Sequence, residues 1–92
     1  MRIVWAESAQ REFDDAIAFI RARSPVGARR VGRRILDAVS LLERFPELAP
    51  RSRHRDLRQL VVPRTPFLVI YRLDEGRVEI RAVVHAKARR RR

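Results

Sequence analysis

Residues 58–92 read RQLVVPRTPFLVIYRLDEGRVEIRAVVHAKARRRR, and this stretch decides the fold. Three apolar runs are separated by the turn signals Pro63–Arg64–Thr65–Pro66 and Asp74–Glu75–Gly76, which predicts an antiparallel meander. The middle run, Phe67 to Leu73, is apolar throughout except for Arg72, as expected of a central strand covered on both sides. The last run alternates. Val78, Ile80, Ala82 and Val84 are expected on one face, and Glu79, Arg81, Val83 and His85 on the other. A cluster of cations, Lys87 and Arg89 to Arg92, follows immediately.

Working back toward the N-terminus, Leu57 to Val62 reads as the second strand, and Glu47 to Asp56 as a loop that holds Pro50 and His54. Ahead of it lie two helical patterns. The first runs from Glu7 or Ser8 to Arg23, with Ala9, Phe13, Ala16, Ile17 and Ile20 forming an apolar stripe. Ser24–Pro25 then supplies an N-cap followed by proline at the first helical position. The second helix is expected to reach about Phe45, its seam being Ala28, Val31, Ile35, Ala38, Leu42 and Phe45. Gly32 inside it is explained by close approach of the two helices. Arg2 to Trp5 is a short opening strand. The order β-α-α-β-β-β predicts an α+β fold, an antiparallel helical hairpin packed on a small, mostly antiparallel twisted sheet. Residues 1–86 are expected to form one domain and 87–92 a basic tail.

The chain has 92 residues and a net charge of +11, so one core and a strong cationic field are both expected. The charge is uneven. Residues 1–46 hold nine basic and six acidic side chains, whereas residues 47–92 hold thirteen basic and five acidic. Such a field suits nucleic acid or an acidic protein. The plainer alternative is coding bias, since Lys87 is the sole lysine among 22 basic residues. The absence of cysteine excludes disulfides and thiolate metal sites. No signal-peptide pattern or membrane-spanning run is visible, which makes a soluble cytoplasmic protein the expectation. No phosphate loop, HExxH, GxSxG or dinucleotide fingerprint occurs, so neither cofactor nor metal is expected.

The second helix carries Arg29, Arg30, Arg33 and Arg34, like charges at i,i+4 that gain nothing within the helix. They read either as a solvated face or as a docking surface for an acidic partner. A metal-free ribonuclease would need an acid or base, and cations for the phosphorane charge. His85 offers the first, while Arg81 and Arg58 offer the second if they reach its surface. The plain reading is a locally bonded histidine with exposed sheet arginines.

The run Arg58–x–Leu60–Val61–Val62, Thr65–Pro66–Phe67, Val69–Ile70–Tyr71–Arg72 and Val84–His85 resembles the C-terminal half of the RelE/ParE toxin superfamily. Trp5, the acidic first helix, the Ser–Pro break, the basic second helix and Phe45–Pro46 extend the resemblance over nearly the whole chain. It implies the toxin of a bacterial type II toxin–antitoxin pair, associated with plasmid stabilisation and growth inhibition. RelE-like members cleave messenger RNA on the ribosome, and His85, Arg81 and Arg58 match the general positions of their nuclease residues. No tyrosine follows His85 and the RelE lysine cluster is missing, so the resemblance leans to the ParE side. That side implies inhibition of DNA gyrase by protein contact and neutralisation by an acidic amphipathic antitoxin segment. On this reading Arg29, Arg30, Arg33 and Arg34 bind the antitoxin, and Arg64, Arg72, Lys87, Arg89 and Arg90 face the target. A ribosome-dependent endoribonuclease and a small nucleic-acid-binding module are the alternatives.

Overall fold

The computed structural model describes residues 1–53 and 56–90, so expectations involving His54, Arg91 and Arg92 lie outside the described residues. The order is β1 (Arg2–Trp5), α1 (Glu7–Arg23), α2 (Pro25–Leu41), β2 (Leu57–Val61), β3 (Phe67–Asp74), β4 (Arg77–His85) and α3 (Ala86–Arg90). The sheet runs β1-β4-β3-β2, antiparallel except that β1 lies parallel to β4. This is the α+β architecture expected of the pattern. The charged C-terminal run adds a short helix, α3, whose Ala86 N–H donates to Pro66 O at 2.7 Å. Among the described residues no helix is long and apolar enough to cross a membrane.

The helices cover one sheet face. Ala9, Ile35, Ala38, Val39 and Leu42 join Leu60, Val62, Phe67, Val69, Tyr71, Val78, Ile80 and Val83 in a continuous core. Trp5 and Phe13 meet edge to face beside it, with ring centroids 5.8 Å apart. Phe67 to Tyr71 are all buried, so the centre of β3 is covered on both faces as its composition requires. The break between the helices also follows its signal. Ser24 Oγ accepts the Gly27 N–H at 2.9 Å, and Pro25 opens α2. Gly32 is buried where α2 crosses α1, and a Cβ there would sit 3.5 Å from Ile17 Cδ1.

Two expectations change. First, α2 ends at Leu41, and Phe45 leaves the seam with 55% of its surface exposed. Leu42 still enters the core, but the chain turns through residues 42–44 ahead of Pro46, and the helical phase that would bury Phe45 is lost. Second, the alternation of β4 breaks. Tyr71 pairs with Ile80 and Ile70 with Ala82, leaving Arg81 as the extra residue of a β-bulge. The phase flips there, so Val83, not Ala82 or Val84, joins Val78 and Ile80 in the core. Ala82 and Val84 are only partly buried.

The bulge lies where β1 stops. Parallel pairing ends at Trp5 opposite Ile80, and Ala6 N–H closes it on Ile80 O at 2.8 Å. Beyond that point the Val83 N–H has no β1 partner. Glu12 of α1 supplies one, its Oε1 accepting this N–H at 2.9 Å. Glu12→Ala should therefore strand a part-buried donor and lower stability by about 1–3 kcal/mol, whereas Glu12→Gln should retain most of it. Urea unfolding of the two variants provides the check, and equal losses would exclude this bond as the cause.

Candidate partner-binding site

The side chains that share one edge of α2 are set by its 3.6-residue period, which brings Arg34, Asp37, Ala38 and Leu41 together. Across from them lies the β2–β3 turn. Thr65 holds that turn, its hydroxyl donating to Val62 O at 3.0 Å and accepting from Phe67 N–H at 3.1 Å. Arg64 adopts a left-handed backbone, φ 61°. Its carbonyl accepts from Arg34 Nη1 at 3.1 Å, which ties helix to turn. Between them Pro63 and Arg64 complete a recess of about 360 Å³ with an apolar floor and with Arg34, Arg64 and Asp37 at its rim. Leu41 of this recess is about half exposed, as are Phe45 and Leu48 in the segment that follows α2.

Arg30 precedes Arg34 by one turn on this edge and is exposed, as are Arg29 and Arg33 on the next stripe round the helix. An apolar trough beside such a row fits the two faces of an acidic amphipathic segment. The sequence showed the arginines. It gave no sign that Arg34 and Arg64, 30 residues apart, are joined.

His85, Arg81 and Arg58 are not gathered in the same way. Arg58 stands opposite Tyr71 on the helix-covered side, and its Nη1 donates to Ala49 O at 2.7 Å. Arg81 reaches Glu79 at 3.3 Å on the open face. His85 pairs with Phe67 on the helix side and meets its ring edge to face, centroids 5.6 Å apart. Its Nδ1 accepts the Lys87 N–H at 3.1 Å. Phe67 and Tyr71 are four residues apart, so His85 and Arg58 are separated along the sheet by about 13 Å. The shared surface for His85 and Arg81 expected from strict alternation is thus corrected by the bulge, and Arg58 is turned to a different neighbourhood. Arg58, Glu47, Arg51, Asp56 and Leu73 line a polar recess of about 400 Å³, in which Arg51 pairs with Asp56 at 2.6 Å.

On the open face Arg72 bridges Asp74 at 3.2 Å and approaches Glu79 with its Nε at 3.3 Å, though without hydrogen-bond alignment. Lys87 is exposed, and Arg89 and Arg90 lie in α3.

Residues 3–89 match the family described as "ParE toxin of type II toxin-antitoxin system, parDE". The chain belongs to the ParE toxin family. It is also 36% identical over 85 residues to a Sinorhizobium fredii (strain NBRC 101917 / NGR234) protein described as "Putative toxin Y4kP", covering 92% of this chain and 88% of that protein. A chain of the solved structure "Chromosomal ParDE TA system from P. aeruginosa" shares the fold, with a TM-score of 0.82, 22% identity, and coverage of 92% of this chain and 95% of that one. The expected leaning toward the ParE side of the superfamily therefore holds.

One support of this ParE-family site was hidden in the sequence. Tyr71 is fully buried in the apolar run of β3, and its hydroxyl donates to Pro46 O at 2.8 Å and accepts from Ala49 N–H at 3.2 Å. With Arg58 on Ala49 O, it staples the 46–49 loop to the sheet. Tyr71→Phe should cost about 1–3 kcal/mol by leaving these two backbone groups unpaired. It should also speed amide exchange at Ala49. Unchanged exchange there would show that the loop is held by other contacts.

Proposed function

We propose that this ParE-family toxin inhibits DNA gyrase by protein contact, without chemistry of its own, and is neutralised by a cognate antitoxin in the bacterial cytoplasm. The observation that supports the antitoxin part of the reading is the groove between α2 and the β2–β3 turn, an apolar floor with Arg34, Arg64 and Asp37 at its rim. In this proposal the acidic amphipathic segment of the antitoxin lays its apolar side on Ala38, Leu41 and Pro63. Arg29, Arg30, Arg33 and Arg34 meet its carboxylates. Arg64, Arg72, Lys87, Arg89 and Arg90 face the target, and plasmid stabilisation follows if the pair is plasmid-borne. Because Arg34 is tied to Arg64, an antitoxin in the groove would cover a target-facing residue, which gives neutralisation a steric route.

The alternative is a ribosome-dependent endoribonuclease. Its acid, base and cations must surround one phosphate. His85 and Arg58 stand about 13 Å apart along one face of the sheet and Arg81 lies with Glu79 on the other, which favours the gyrase reading.

Induced expression should stop DNA synthesis before protein synthesis, and His85→Ala should remain toxic. Early ribosome-dependent cuts in messenger RNA that vanish in His85→Ala would instead establish the nuclease.

The antitoxin contact has its own test. Charge reversal at Arg30 and Arg34 should slow association with the antitoxin by about tenfold at low salt and change release less. Stopped-flow mixing across a salt series measures this, and a rate indifferent to salt would remove electrostatic steering from the account.

A further inference from the structure

The tip of the helical hairpin carries a patch that neither the groove nor the core uses. Phe19 near the end of α1 is 63% exposed, and Val26 at the start of α2 is 54% exposed. Arg23 is stacked over the Phe19 ring, its guanidinium carbon 4.8 Å from the centroid. The tip is also stiff. Ser24 N–H closes α1 on Ile20 O at 2.8 Å, Ser24 Oγ caps α2, and Pro25 fixes its first backbone angle. An aromatic ring held in place by an arginine on a rigid support loses little freedom when it docks.

The charge around it is mostly positive, with Asp15 one turn before Phe19 the nearest carboxylate on α1. Between Asp15 and Asp37 the chain has Arg21, Arg23, Arg29, Arg30, Arg33 and Arg34 and no carboxylate. Among the described residues, none of these six forms an ion pair within the chain. Their complement is an acidic surface. The apolar centre points to protein over nucleic acid, because Arg23 already occupies one face of Phe19 and Val26 offers a base nothing to stack on or bond to.

We infer that the hairpin tip, centred on Phe19, Arg23 and Val26, docks on an acidic protein surface with an apolar recess for the Phe19 ring. The inference rests on the gyrase reading above, under which that surface belongs to gyrase. The tip then anchors the toxin, while the cations of the sheet and α3 supply long-range attraction.

The experiment titrates purified DNA gyrase with the full chain and with its Phe19→Ala and Arg23→Gln variants, reading supercoiling. Phe19→Ala removes an exposed side chain, so its thermal midpoint should stay within about 4 °C of the parent. Its half-inhibitory concentration should rise about tenfold or more. Arg23→Gln should show a smaller rise that shrinks as salt increases. If Phe19→Ala inhibits as well as the parent, the tip is not the docking surface. If that variant instead loses affinity for naked DNA, the patch is a nucleic-acid surface and the inference is likewise overturned. A parent chain that leaves gyrase untouched sinks the gyrase reading itself, and the inference with it.

Discussion

β1 has four residues and β4 has nine, and the rest of the molecule answers to that mismatch. A strand that outruns its neighbour is left with backbone donors and acceptors facing nothing, and burying them unpaired is expensive. Here the chain turns from β1 directly into α1, so the helix and not another strand lies beside the upper half of β4. Glu12 then pairs with Val83 in place of a strand. The bulge at Arg81 rotates the remainder of β4 so that Val83 enters the core beneath the helices. His85 accordingly ends against Phe67 and α3, and Arg81 stays outside with Glu79. The separation of those two side chains thus traces back to the length of the first strand.

The elements up to β4 were legible because each was marked locally, whereas α3 fell in a run expected only to be a basic tail. Ser24–Pro25 announced the hairpin break, Asp74–Glu75–Gly76 the last turn, and the unbroken apolar run of β3 its central place. What escaped the sequence was whatever depends on a distant partner. The bulge carries no glycine and no change of composition, and it makes sense only with the end of β1 in view. The Glu12–Val83 bond spans 71 residues and the Tyr71–Pro46 bond spans 25. Phe45 was misplaced for a different reason: helical spacing extends on paper past the point where the backbone stops being helical.

The candidate site was half legible in the same sense. Arg29, Arg30, Arg33 and Arg34 stood out because like charges one turn apart cost a little and gain nothing inside a helix. The apolar floor between α2 and Pro63 needs the fold to exist at all. Phe19 was counted among neither the stripe nor the arginines, since a lone phenylalanine on a helix carries no signal until its exposure is known.

β2 forms one edge of the sheet, and among the described residues its beginning is sheltered, where Arg51 bridges Arg58 and Ser52 N–H bonds Leu57 O at 2.7 Å. At the far end Val61 is 65% exposed. Edges of this kind invite a second copy to add its own strand, and proteins commonly blunt them with a charge, a proline or a covering loop. Pro63 comes two residues too late to blunt the edge at Val61. A further defence is global. Two copies approaching edge to edge each bring a charge of +11, so the repulsion that slows their meeting comes from the whole molecule and not from the strand. Colloidal stability in this chain is therefore tied to ionic strength. Salt that weakens the pull on an acidic partner also lowers the barrier between copies, and an acidic partner that neutralises the surface has to shield the edge as well.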